Sequence, residues 1–109
     1  MTTIISPSNP VITMINVFTV NPENQQRLVN LLIRTTETVM KKQPGYVSAN
    51  IHKSLDGMRV VNYAQWRSRE DYEAIIKNRE VVEHMSEIMS FAKSDYHPYE
   101  VVYSDNVAD

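Results

Sequence analysis

A chain of 109 residues with 42% hydrophobic and 22% charged side chains has the length of one domain and the means for a modest core. Its net charge of −2, with lysines and arginines scattered, gives no basic footprint for nucleic acid, and no apolar run nears the ~20 residues of a membrane span. The absence of cysteine removes disulfides, thiolate nucleophiles and thiolate metal ligands, and 2 Gly with 5 Pro argue against a low-complexity body.

Residues 1–10 carry two prolines among Ser, Thr and Asn and read as a flexible arm. They lack a basic segment followed by an apolar one, so no signal peptide is expected and the cytoplasm is the default address. Residues 11–104 are expected to fold as one domain, with 105–109 as a tail. Val11 to Val20 alternates as a strand, with Asn16 as the odd polar residue on the face of Ile12, Met14, Phe18 and Val20. Asn21-Pro22-Glu23 is a helix start: a capping side chain, a proline at the first helical position, then an acid facing the dipole. Leu28, Leu31, Leu32, Thr35 and Val39 supply the buried stripe, Lys41 and Lys42 suit the helix end, and Pro44-Gly45 stops it.

Tyr46 to Lys53 and Met58 to Arg67 read as paired strands around Leu55-Asp56-Gly57. A two-residue turn would set His52 opposite Val61. A three-residue loop with Gly57 left-handed would set His52 opposite Val60 and gather Ser48, Asn50 and His52 with Asn62, Ala64 and Trp66. The second register sorts polar from apolar more cleanly and is the one expected. Ser68, with Asp71 three residues on, resembles a capping box for a second helical region. That region opens with Tyr72, Ile75 and Ile76, breaks near Asn78, and continues through Val81, Met85, Ile88, Met89 and Ala92. Tyr99, Val101 and Tyr103 alternate as a last strand.

The order β-α-β-β-α-β predicts an α+β fold in which two helices cover one face of a four-stranded antiparallel sheet. The other face would carry Met14, Phe18 or their neighbours, plus Trp66, and a second copy in a C2 pair would cover it. A pocket is expected between sheet and helices, lined by the polar set.

Trp66 follows Asn62 by four residues, so an indole could stack on a flat ligand while the amide bonds a carbonyl or nascent oxyanion. His52 is a candidate base, or a surface histidine near a hairpin tip. Tyr72 could point its hydroxyl into the pocket or serve as amphipathic core, and Asn16 could line the cavity or pair with a polar neighbour. His84 and His97 lie on other elements from His52, and three histidines so dispersed give no metal-ligand spacing. The methionines at helical spacing are core filler.

Val60-Val61-Asn62-Tyr63-Ala64-Gln65-Trp66-Arg67-Ser68, followed by Asp71-Tyr72-Glu73-Ala74, resembles the signature segment of the antibiotic biosynthesis monooxygenase family. Pro44-Gly45, the stretch from Ile51 to Gly57 and Tyr99-Glu100-Val101-Val102 are similar to the segments around it. The likeness runs from Val11 to Tyr103, and Asn62 to Trp66 is its most specific part. It implies a ferredoxin-like sandwich pairing as a dimeric α+β barrel. It also implies oxidation of an anthrone or similar phenol to a quinone by O2, with no flavin, haem or metal. By this similarity Asn62 and Trp66 would hold substrate or oxygen, His52 would act as base or hydrogen-bond partner, and Tyr72 would join a proton relay. Asn16, Asn50, Arg79 and His84 are the candidate substrate-binding residues. Some members use an arginine on the helical segment before the last strand to steady the peroxide; here the corresponding stretch offers Ser86, with Arg79 a turn or two earlier.

Two other readings stay open on sequence. A haem-degrading monooxygenase of the same fold would use Asn16 and His84, although the second helical region lacks the tryptophan such enzymes carry. A non-catalytic dimer could merely capture a small aromatic molecule.

Overall fold

The chain leaves its first strand, β1 (Ile12–Val20), where the sequence places the first helix start. A single 3-10 turn, Pro22–Asn24, carries the proline and the acid, and α1 (Gln25–Thr38) follows with Leu28, Leu32 and Thr35 buried. A second 3-10 turn, Met40–Lys42, carries the two lysines. Gly45 then turns the chain at a φ of 81°, and a Cβ there would run into the Asp71 side chain, so glycine is required twice over. The paired strands are β2 (Tyr46–Lys53) and β3 (Arg59–Trp66). This computed structural model describes residues 2–107; Met1 of the arm and Ala108 and Asp109 of the tail lie outside the described residues.

The second helical region is two helices. Ser68 caps α2 (Arg69–Ile75), its hydroxyl accepting from the Asp71 backbone N–H at 3.2 Å. The break falls at Asn78, whose Oδ1 accepts from the backbone N–H groups of Glu80 at 2.9 Å and Val81 at 3.2 Å and so starts α3 (Arg79–Met89). The last strand corrects the sequence reading. β4 is Ala92–Tyr99, so Ala92 opens a strand instead of continuing a helix, and Val101 and Tyr103 lie beyond it. Ala92 pairs with Val20 and is buried at the same core, which is why its spacing passes for helical. Pro98 is tolerated inside β4 because the strand is at the sheet edge.

The sheet order β2-β3-β1-β4, all neighbours antiparallel, is the ferredoxin-like arrangement. The three helices cover one face. One half of the core joins Phe18, Val20, Leu28, Leu32, Val60 and Ile88; the other joins Met14, Val39, Trp66, Tyr72, Ile75 and Val81. Met14, Phe18 and Trp66 therefore lie under the helices, not on the open face. Strand alternation leaves Ile15, Val17, Val61 and Tyr63 at the centre of that open face, all half-buried.

The hairpin overturns the expected register: His52 faces Val61, as in the two-residue alternative, and not Val60, although the loop is wider than either alternative. Gly57 is left-handed as expected, at a φ of 83°, but the strands close at Ser54 and Arg59 around four residues. Ser54 and Asp56 hold the loop: the Ser54 hydroxyl donates to Asp56 Oδ1 at 2.6 Å, and the same oxygen accepts from the Met58 N–H at 3.0 Å. His52 then pairs with Val61 and Ile51 with Asn62. A one-residue slip exchanges the faces of a strand, so His52 and Asn50 stand on the open face and Ile51 and Ala49 beside Asn62. A bulge between Tyr46 and Ser48 returns Tyr46 to the helix side, edge-on to Trp66 at 5.8 Å. The N-terminal arm lies against the open face: Thr3 Oγ1 donates to Asn50 Oδ1 at 2.9 Å, and Gln65 Nε2 donates to the Ile4 carbonyl at 2.7 Å.

Candidate active site

Between the helix layer and the β1–β4 side of the sheet lies a cavity of about 370 Å³. That is in the range of small-molecule sites, near its lower end. Met14, Met40, Ile75, Val81, Met85 and Met89 supply apolar walls, and Asn16, Tyr72, Ser86, Ser94 and Tyr96 supply the polar atoms. α2 and α3, separated at Asn78, both contribute to the cavity walls, α2 through Tyr72 and Ile75 and α3 through Val81, Met85 and Met89.

Asn16 is 5% exposed on the sheet floor, where an apolar residue would pack without a partner to find. Ser94, on the adjacent strand, donates to its Oδ1 at 2.8 Å. Tyr72 reaches the cavity from α2. Its pKa is raised above the usual tyrosine value of 10.0, first by burial, then by Tyr96 and Glu73, so its hydroxyl is a proton donor at neutral pH. Asn62 pairs directly with Asn16 across β1 and β3 and is 9% exposed; its Oδ1 is enclosed with no hydrogen-bond partner. Trp66 stands behind Tyr72 in the same core cluster, 1% exposed, and its indole N–H is likewise buried without an acceptor. Each such orphan costs on the order of 1–3 kcal/mol.

The structure brings together only part of the set singled out in sequence. Asn16 and Tyr72 line the cavity, and Asn62 adjoins it. Trp66 backs the wall and presents no ring face to the cavity. His52 is exposed on the opposite face of the sheet because of the hairpin register, and Asn50 is there too, its amide donating to the Tyr63 carbonyl at 3.0 Å. Arg79 points away, its side chain 93% exposed and 3.5 Å from Glu83. His84 faces α1, with Nδ1 2.8 Å from Thr35 Oγ1. No histidine, carboxylate or basic side chain lines the cavity among the described residues, and they hold no cluster of histidine and acidic groups suited to a metal ion. Ser94 and Tyr96 were missed in sequence because the last strand was placed too late. The alternation Ala92, Ser94, Tyr96 carries the signal, and a lone buried Asn16 demands a cross-strand partner.

A family model for antibiotic biosynthesis monooxygenase matches residues 11–87. Tetracenomycin-F1 monooxygenase of Streptomyces glaucescens is 51% identical over 71 residues, 65% of this chain and 63% of that relative. The match thus spans less than two thirds of the relative's length. Among solved structures, the cofactor-independent oxygenase SnoaB of Streptomyces nogalater superposes with a TM-score of 0.76 at 19% identity, over 87% of this chain and 96% of its own. An anthrone oxidase-like protein superposes at 0.80 and 24% identity, over 88% of this chain and 41% of its own. These two likenesses speak to the fold. With the family match covering most of the folded residues, the chain belongs to the antibiotic biosynthesis monooxygenase family.

Proposed function

We propose that the protein is a monooxygenase that uses O2, without an added cofactor, to oxidise a small electron-rich aromatic of the anthrone or phenol type to a quinone. The observation that carries the reading is the character of the cavity: apolar walls with a few neutral donors and, among the described residues, no histidine, carboxylate or basic side chain. Such a site binds a flat aromatic and stabilises negative charge on its oxygen, and it leaves the redox chemistry to the substrate. The activities named for tetracenomycin-F1 monooxygenase and SnoaB support the reading.

The reaction follows from what the walls offer. Hydrogen bonds from Asn16 and Tyr72 to the substrate oxygen favour its anion, and the released proton passes to solvent. The anion gives one electron to O2, and the resulting radical and superoxide combine to form a carbon–oxygen bond. The peroxide, after protonation, breaks its O–O bond and loses the remaining hydrogen on the same carbon as water, leaving the carbonyl. One O2 is consumed, one oxygen atom enters the product and the other leaves as water. His52 takes no part in this account. The haem reading has lost its ligand, since His84 faces α1, and capture without turnover remains the competing outcome.

Oxygen uptake by chelator-treated, flavin-free protein with a model anthrone tests the proposal. Uptake above the uncatalysed rate with quinone formed, reduced about tenfold or more in Tyr72→Phe by loss of a hydrogen bond to a charged group, is expected. Ligand binding with no uptake above background would leave a binding module.

The open face supports a second copy as partner. Ile15, Val17, Val61 and Tyr63 form an apolar centre there, and a twofold pair of sheets would bury it. Light scattering at micromolar concentration would give twice the 12.6 kDa chain mass; the mass of a single chain would contradict the pairing.

A further inference from the structure

Ser94 and Tyr96 lie outside the family match, which ends at residue 87, yet both side chains line the cavity. They alternate along β4 on the helix-covered face, and the register sets Tyr96 directly beside Asn16 and Ser94 beside Phe18. The torsion that orients an asparagine amide is soft, so an unheld Asn16 could offer the cavity either its oxygen or its N–H2 group. Ser94 removes the ambiguity. Its hydroxyl donates to Asn16 Oδ1 at 2.8 Å, which occupies the acceptor and turns the two N–H donors the other way. Tyr96 flanks those donors on the sheet, and Tyr72 approaches from the helix side with its hydroxyl protonated. The cavity thus gathers donors from β1, β4 and α2 on largely apolar walls. Donors without a countercharge on such walls bind an anionic oxygen better than a neutral one.

We infer that Asn16 and Tyr96 form an oxyanion subsite and that Ser94 is its positioning residue, selecting planar aromatics that carry an ionisable hydroxyl or enol. The inference deepens the oxygenase reading and rests on it, while its test needs no turnover. The probe is 2-hydroxyanthraquinone, whose visible absorption distinguishes phenol from phenolate. Titrated in the presence of saturating wild-type protein, the bound dye should ionise about one pH unit below the free dye, a tenfold gain in the ionised fraction ratio. Tyr96→Phe and Ser94→Ala should each return at least half of that shift. Ser94→Thr, which keeps the hydroxyl, should retain it. Both side chains sit on an edge strand and neither belongs to a buried core cluster, so the variants should keep the wild-type far-ultraviolet spectrum.

A bound dye that ionises at or above the pH of the free dye overturns the subsite, because an apolar cavity alone opposes the anion. So does failure of the dye to bind, or an unchanged shift in Ser94→Ala. Oxygen uptake on the same proteins separates the two ideas. A lowered dye pKa without uptake upholds the subsite and removes the oxygenase reading; uptake without the shift does the reverse.

Discussion

Replacement of Trp66 tests whether its indole N–H is an orphan held beside the cavity. Trp66→Phe removes about 40 Å³ from a site that is 1% exposed, which at about 24 cal/mol per Å³ costs about 1 kcal/mol. The lost apolar burial adds about 1 kcal/mol more. Against this stands the removal of a buried donor with no acceptor, worth about 1–3 kcal/mol. The terms nearly cancel, and the expected change in stability is within about 1 kcal/mol of zero. Trp66→Ala gains the same relief but leaves a large void and loses the edge-on contact with Tyr46, so it should cost about 3–4 kcal/mol. Urea denaturation followed by far-ultraviolet circular dichroism reads both variants without relying on the fluorophore that has been removed. A loss of about 3 kcal/mol or more in Trp66→Phe would refute the reasoning, since it would mean the N–H is satisfied in the folded protein.

The other consequences are simpler. His52→Ala should leave kcat/KM within about twofold of wild type and the pH profile without a new inflection near neutrality, because His52 is on the far face; a large loss would place it at the site. Arg79→Ala should change stability by less than about 0.5 kcal/mol and leave activity unchanged, measured by denaturation and oxygen uptake, since its ion pair is on the surface. Burial raises the pKa of both Tyr46 and Tyr72 above 10.0. The native state holds these protons longer than the unfolded chain, so their contribution is intact below pH 10 and lost as pH rises through the folded values. Denaturation in Tyr72→Phe should show a shallower alkaline decline. Val61→Asp, on the open face, should yield a monomer by light scattering if sheets pair there; an unchanged mass would direct the pairing elsewhere.

What was legible in the sequence was local. Ser68 and Asn78 cap helices through neighbours two or three residues away, and Pro44-Gly45 turns the chain toward β2 through backbone conformation, so each announces itself within a short window, although α1 itself ends earlier, at Thr38. The element order and the ferredoxin-like class follow from them. The hairpin register did not, because loop width depends on whether Ser54 and Asp56 bond to each other, and a single residue of slip moved His52 and Asn50 to the other face. The site was half legible for a similar reason. Asn16 stands out as polar on an apolar strand and Tyr72 as the aromatic opening a helix, but Ser94, which gives Asn16 its direction, lies 78 residues away in sequence. The resemblance pointed to Asn62 and Trp66 on β3, which flank the cavity without lining it, and the place of Trp66 as buried backing for Tyr72 is a matter of packing that spacing does not encode.

The most direct test of the central claim is the mass spectrum of the quinone formed under isotopically heavy O2 by chelator-treated, flavin-free protein, with spontaneous oxidation subtracted. The account predicts one heavy oxygen in each quinone formed above background, the other appearing in water. Enzyme-dependent quinone carrying no heavy oxygen, or none formed above the spontaneous rate, would contradict it.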